Sequence, residues 1–282
     1  MTMTQLGLLG DVHGDWNWTR SAINTFDAAG IKEIHQLGDF GLYPTNAGYK
    51  FLHRVSLLLA NLDMKMYITL GNHEHWPHAL KLLEGASGWT EVAQSVFIAP
   101  RGYRWEQDGI RFMSLSGAPS VDRAWRVEDQ KDVFLQDYHT WFPEEVITWE
   151  EVDTISAEGT VDVVFAHDLP EGVSGIDRII AGNPHGFGAA DLLYAADGRR
   201  RVTEVFNAVK PLVWAHGHYH HGNIEDIRVP WDFQSGEGFC RVTSFGCNGQ
   251  NFSLGMIDTE HIDQVSLWNL AKPAVDSSFI LR

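Results

Sequence analysis

Five times in this chain an apolar, β-branched-rich run stops, usually at a glycine, and a side chain able to bind a metal or move a proton follows at once. Leu6–Gly10 runs into Asp11 and His13, Ile34–Gly38 into Asp39, and Met66–Gly71 into Asn72, His73 and Glu74. Val161–Ala166 runs into His167, and Leu212–Gly217 into His218 and His220. Short runs of this kind read as buried strands. In open α/β folds, sites are built from the loops that leave the C-terminal ends of parallel strands. Five such ends, each carrying Asp, Asn or His, point to one site assembled from distant parts of the chain.

Between these strands the periodicity is helical. Trp18, Ala22, Ile23, Phe26 and Ala29 predict a helix over 15–29 closed by Gly30. Tyr49, Phe51, Leu52, Val55, Leu58, Leu59 and Leu62 predict a second over 47–62. A short helix near 77–84 opens at Pro77, a residue suited to the first helical position. This β-α-β-α-β-α order predicts a mainly parallel sheet with right-handed crossovers. Strands follow at 95–99 and 111–116, with Asp108-Gly109 as a turn between neighbours. Thr148 and Glu151 fit a capping box that opens a helix to about 157. A helix near 203–209 precedes the fifth strand. The pieces at 222–229, 238–245, 252–258 and 262–268 read as antiparallel strands of a second sheet. The expected architecture is a single α/β domain over 1–282, a four-layer α-β-β-α sandwich of two mixed sheets flanked by helices. A metal site is expected at the C-terminal strand ends. Residues 119–144 and 168–198 are expected to be irregular insertions that shape a pocket.

The charge of 21 basic against 37 acidic residues gives −16. That opposes stable binding to duplex nucleic acid or to an anionic membrane, because both need a basic surface. An anionic substrate remains compatible, since bound divalent cations reverse the local sign. Cys240 and Cys247 have neither zinc-ligand nor redox spacing and are expected to be reduced thiols, as in a cytoplasmic protein. No basic stretch precedes an apolar one at Met1–Thr4, and the longest apolar run, 56–62, is too short to span a bilayer.

The strand-end side chains Asp11, His13, Asp39, Asn72, His167, His218 and His220 offer oxygen or imidazole nitrogen and no thiolate. Two carboxylates, one amide and four imidazoles can hold two divalent ions if one carboxylate bridges them. Such ions, ~3.5–4 Å apart, stabilise both the attacking and the leaving oxygen in phosphoryl transfer. Nitrogen and oxygen donors suit manganese, iron or zinc better than Cu(I), and their spacing does not choose among them. Manganese is the first expectation for the cofactor, with iron, zinc and nickel as the others.

The same residues resemble the calcineurin-like metallophosphoesterase superfamily. Its blocks Asp-x-His, Gly-Asp, Gly-Asn-His-Glu, a lone His and Gly-His-x-His stand here, in order, at 11–13, 38–39, 71–74, 167 and 217–220. The resemblance implies one ion on Asp11, His13, Asp39 and His220. It implies a second on Asp39, Asn72, His167 and His218, with Asp39 bridging. It further implies in-line attack on phosphorus by a hydroxide shared between the ions. His73 is then the catalytic non-ligand that protonates the leaving group or hydrogen-bonds a phosphoryl oxygen. Many relatives extend the second block to Gly-Asp-x-x-Asp, whose second Asp can orient that histidine. Leu42 stands there in this chain, so the sequence names no partner for His73.

The expected activity is a phosphodiesterase on a small phosphoester, nucleotides included. A phosphomonoesterase or nuclease on the same core is the alternative, and a catalytically inactive metal-binding scaffold is the rival of another class. Outside the blocks, His185 in the Gly-rich stretch is the candidate substrate contact among the other histidines. The run Arg199-Arg200-Arg201 reads as a solvated turn, with Arg199 as a candidate phosphate contact. The aromatics of 119–144, Phe134 and Tyr138 among them, read as a satellite core or as a stacking surface for a base. Glu74 and Asp168, each beside a block residue, are candidates to support the ligands.

Overall fold

The computed structural model describes residues 4–129, 139–231 and 238–270. Phe134 and Tyr138 lie outside them. The chain opens with β1 (Gln5–Leu9), α1 (Trp16–Ala28), β2 (Glu33–Gln36), α2 (Asn46–Asn61), β3 (Lys65–Ile68) and α3 (Trp76–Leu82). β4 (Thr90–Ala93), β5 (Val96–Ile98), β6 (Tyr103–Gln107), β7 (Ile110–Leu115), α4 (Arg123–Asp129) and α5 (Trp149–Ala157) follow. β8 (Val163–Ala166), α6 (Ser174–Gly182), α7 (Ala189–Val209) and β9 (Val213–His216) come next. β10 (Asn223–Arg228), β11 (Phe239–Ser244), β12 (Leu254–Asp258) and β13 (His261–Trp268) end the order.

Two mixed sheets form, one ordered β13-β12-β1-β2-β3-β5-β4 and the other β10-β11-β9-β8-β7-β6. Residue alternation along the strands then fixes the layers. Leu6 and Leu8 of β1, Phe112 of β7, Phe165 of β8 and Ala215 of β9 point between the sheets and share one core. Leu9, Ile34, Met66 and Ile68 point outward onto α1 and α2, against Ile23, Phe26, Val55 and Leu59. Val164 and Trp214 point to the opposite outer face, onto Val152 and Ile155 of α5 and Val202, Val205 and Phe206 of α7. The result is the expected α-β-β-α sandwich. β1, β2 and β3 are mutually parallel, as are β7, β8 and β9, so their C-terminal ends gather along one rim. Among the described residues no helix is long and apolar enough to cross a membrane.

Local signals account for the starts of α1, α2 and α5. Asp15 and Thr45 cap α1 and α2 with side-chain oxygens, and Thr148 and Glu151 form the reciprocal capping box of α5. The Asp108-Gly109 turn joins β6 to β7, with both residues at positive φ, as a two-residue hairpin requires.

Three expectations need correction. Residues 168–198 are not irregular: they hold α6 and the first half of α7. Gly198 obscures the second helix in the sequence. It is glycine because an added Cβ would lie 2.8 Å from Pro119 Cγ, where the helix meets the preceding loop. The arginine run is therefore helical rather than a turn, and Arg199 is buried and paired with Asp177. Finally, the last four strands do not make a sheet of their own. β10 and β11 extend the second sheet, whereas β12 and β13 return to the edge of the first beside β1.

Candidate metal centre

The loops leaving β1, β2, β3, β8 and β9 meet at the rim, and the backbone there is contorted to bring their side chains together. His13, Asp39, His218 and His220 all sit at positive φ, between 45° and 69°. A non-glycine residue in that region costs of order 1–3 kcal/mol, a cost that persists where the surrounding fold imposes it. The block glycines make the close approach possible. An added Cβ on Gly71 would lie 2.2 Å from Asp39 Oδ1, on Gly38 2.1 Å from His167 Nδ1, and on Gly217 2.1 Å from Asp11 Oδ1.

One ligand atom each from Asp11, His13, Asp39 and His220 falls within 4.8 Å of the others. His220 Nε2 is 3.0 Å from Asp11 Oδ2, and His13 Nε2 is 3.4 Å from Asp39 Oδ2. The other oxygen of Asp39 faces the opposite way, 3.2 Å from His167 Nε2, which in turn is 2.9 Å from Asn72 Oδ1. The His218 ring stands beside that of His167, centroids 5.0 Å apart. Asp39 is thus the side chain common to both halves of the cluster. All eight block residues named in the sequence converge here.

The hydrogen bonds behind the cluster aim these atoms. His13 Nδ1 donates to Asn248 Oδ1 (2.9 Å) and His167 Nδ1 to the Leu37 carbonyl (2.7 Å), which turns both Nε2 atoms toward Asp39. Asn72 Nδ2 donates to Ser120 Oγ (3.0 Å), and Ser120 Oγ donates to Glu145 Oε2 (2.6 Å), so the amide oxygen of Asn72 faces the cluster. Glu74 is fully buried and accepts the amides of Phe40 (2.6 Å), Gly41 (3.0 Å) and Gly71 (2.5 Å), which clamps the loop carrying Asp39. Asp168 accepts the Tyr219 hydroxyl (2.9 Å), fixing the residue between His218 and His220.

The field at the cluster calls for positive charge. Burial works against protonating His167 and His220, yet the carboxylates of Asp39 and Asp11 raise both pKa values to about 10. His13 is raised to about 9 against the same burial penalty, chiefly through Asp39. Asp39, fully buried, is nonetheless held well below the usual carboxylate range by its imidazole neighbours. Buried carboxylates facing the Nε2 atoms of imidazoles whose Nδ1 atoms are already hydrogen-bonded form a donor set that divalent cations fit.

His73 is not one of these inward-facing donors. Its amide donates to Asp39 Oδ1 (2.8 Å), while its ring lies at the edge of the cluster with Nε2 3.9 Å from Asp39 Oδ2. Its ring partner is Arg126 of α4, whose guanidinium donates to His73 Nε2. Arg126 is itself held by Asp122 (2.8 Å) and the Thr140 carbonyl (3.1 Å). Burial, with the Arg126 charge added, lowers the His73 pKa to about 4 against the pull of Asp39. Leu42, where relatives can carry an aspartate, is buried in the apolar layer.

Sequence reasoning missed Arg126, Asn248 and Glu145. Asn248 had a signal: it follows β11, a strand parallel to β9, in a Gly-Cys-Asn-Gly turn at the same rim. Arg126 and Glu145 had none, because Arg126 reaches His73 from α4 and Glu145 reaches Ser120 from the turn before α5, contacts made only in three dimensions. The two weaker candidates divide. His185 is exposed, with its ring 5.7 Å from Phe187 in the wall of the cavity outside the cluster. Arg199 borders the same cavity, but its guanidinium is engaged by the Pro170 carbonyl (2.9 Å) and Asp177 (2.6 Å).

Comparison with known proteins agrees with this geometry. Residues 4–222 match the family described as calcineurin-like phosphoesterase, and the chain belongs to that family. No curated protein matches it in sequence. A dimetal phosphatase from Danio rerio is similar in structure, with 15% identity, a TM-score of 0.53, and coverage of 95% of this chain and 97% of its own. The protein TT1561 of Thermus thermophilus is similar at 10% identity and a TM-score of 0.56, covering 96% of this chain and 100% of its own. At these identities the likeness is one of fold.

Proposed function

We propose that the protein is a metal-dependent phosphoesterase that prefers small phosphodiesters, nucleotides being one candidate class, to monoesters. The observation that carries this reading is Asp39, one buried carboxylate with imidazoles against both of its oxygens. Asp11, His13, Asp39 and His220 would hold one cation, and Asp39, Asn72, His167 and His218 the other, with Mn²⁺ as the first candidate. What divalent cations supply at such a site is Lewis acidity toward phosphoryl oxygens and acidification of water.

The chain's own contribution is positioning and charge. In hydrolysis a P–O bond forms to a water oxygen, the ester P–O bond breaks, and a proton ends on the departing oxygen. Arg126 lines the same cavity as Asp39, Asn72 and His73, so its guanidinium faces the space an anionic phosphoryl group would enter. Because arginine only donates, the His73 Nε2 that it touches is an acceptor and the ring is neutral. Of the two roles expected for His73, hydrogen bonding beside the phosphoryl group fits this pairing. The fixed positive charge at the departing oxygen comes from Arg126.

Purified protein supplied in turn with Mn²⁺, Fe²⁺, Ni²⁺ and Zn²⁺ should hydrolyse bis-p-nitrophenyl phosphate. Absence of turnover with all of them refutes the activity. Faster turnover of p-nitrophenyl phosphate under the same conditions reverses the preference for diesters.

A further inference from the structure

The cavity that reaches Asp39, Asn72 and His73 does not end at the cluster. It encloses about 620 Å³ and continues between α4 on one side and α6 with the start of α7 on the other. Its lining away from the cluster is rich in carbon, with Val121 and Trp125 from the α4 side and Ile179, Ile180, Phe187 and Leu192 from α6, the approach to α7 and its first turn. The α6 stripe explains why. Ile176 is fully buried and anchors the helix on the outer core, while Ile179 and Ile180 remain half-buried and line the chamber. The rings of Trp125 and Phe187 meet at 5.7 Å with a 44° tilt, and Trp125 is 61% exposed. An exposed tryptophan packed on a second ring beside a site is a surface prepared for an apolar group.

Two of the polar side chains at this end are largely committed, and the exposed His185, its ring 5.7 Å from Phe187, stands at the margin. The Asn183 amide closes a reciprocal pair with the backbone of Phe187, at 3.0 and 2.9 Å. Arg199 is engaged by the Pro170 carbonyl and Asp177. A nucleobase edge placed against Ile179, Ile180 and Leu192 would lose hydrogen bonds to water without replacing them, which a binding site of this kind penalises.

We propose that this chamber takes a hydrocarbon group esterified to the phosphoryl group that lies at the cluster, in preference to a nucleobase. The proposal rests on the phosphoesterase reading above and names the substrate class for it.

The test uses the full-length, Mn²⁺-loaded protein and four diesters of 4-nitrophenyl phosphate. They share a leaving group and differ in the second ester: methyl, hexyl, phenyl and thymidine 5′-yl. Each methylene removed from water is worth about fourfold in binding. The hexyl and phenyl esters should therefore exceed the methyl ester in kcat/KM by roughly tenfold or more, mainly through KM, while the thymidyl ester stays near methyl. Phe187→Ala and Ile180→Ser should each pull the hexyl-to-methyl ratio toward one. Equal values for methyl and hexyl, or a thymidyl ester better than hexyl, overturn the proposal. If none of the four turns over, the phosphoesterase reading fails, and the chamber is judged by calorimetric binding of hexylphosphonate against methylphosphonate. Roughly tenfold tighter binding of the hexyl compound then supports the chamber, and equal binding overturns it.

Discussion

The guanidinium of Arg126 donates to His73 Nε2 from the wall of the cavity that opens onto Asp39. A cation thus occupies the ring nitrogen of the histidine for which the sequence offered no carboxylate partner, since Leu42 is buried in the apolar layer.

Arg126→Ala should lower kcat by roughly 10²-fold with a smaller change in KM, the scale seen when one preorganised donor to a developing charge is removed. Free guanidinium in the assay should restore part of the rate, and Arg126→Lys should fall between alanine and wild type. Steady-state kinetics with and without guanidinium chloride, at constant ionic strength, make the measurement. A fully active Arg126→Ala variant would show that the guanidinium only props the loop.

The block glycines should divide by what surrounds them. Gly71→Ala places a Cβ 2.2 Å from Asp39 Oδ1 and 2.3 Å from its amide nitrogen, so it must displace the carboxylate shared by the two halves of the cluster. Metal content after dialysis should fall sharply. Gly109→Ala meets no atom within 4 Å and carries only the strain of a positive φ of 80°. It should cost about 1 kcal/mol in denaturant unfolding and leave metal content unchanged. Elemental analysis of both variants separates the two effects.

Metal removal should reveal how much of the fold's stability depends on the cation. The rim holds buried carboxylates and four residues at positive φ, and a ligand bound only by the folded state stabilises it by mass action. At a free metal concentration one hundred times Kd the gain is about 2.7 kcal/mol. Chelation followed by dialysis should lower the melting temperature by several degrees, and Mn²⁺ should restore it. An unchanged transition would argue that the cluster binds no cation tightly.

Glu145, one hydroxyl removed from Asn72, gives a pH signature of its own. Burial pushes its carboxyl up from 4.5 to about 7, against the Ser120 and Tyr194 hydrogen bonds that favour its charged form. A raised folded-state pKa means that the unfolded chain ionises first as pH rises. The stability this group contributes is therefore complete below about pH 4.5 and is lost as pH climbs through 7. The loss is bounded at about 3 kcal/mol. Urea titrations at pH 5 and pH 8 should show a steeper decline for the wild type than for Glu145→Gln. Parallel declines would contradict the assignment.

What the sequence could disclose followed from local rules. Strand ends marked by Gly10, Gly38, Gly71 and Gly217 were readable because an apolar run, a glycine and a polar tip lie within a few residues of one another. The capping box at Thr148 and Glu151 and the hairpin turn at Asp108-Gly109 were readable for the same reason. Pairings set by distant partners were not. Nothing in 254–268 says that β12 will pair with β1 rather than with β11, because that choice is made by the inter-sheet core that Leu6 shares with Ile257. Gly198 lowered the helical signal of α7 for a reason, the contact with Pro119, that exists only in three dimensions. Arg126 was invisible in the same way: its spacing from Asp122 predicts a surface ion pair, and only the fold brings it to His73.

Whether Asp39 serves two cations at once is read directly by metal stoichiometry. Calorimetric titration of the metal-free protein with Mn²⁺ should give about two equivalents per chain, and His167→Ala should retain about one. A wild-type protein that saturates at a single equivalent, or binds none, would contradict the paired centre.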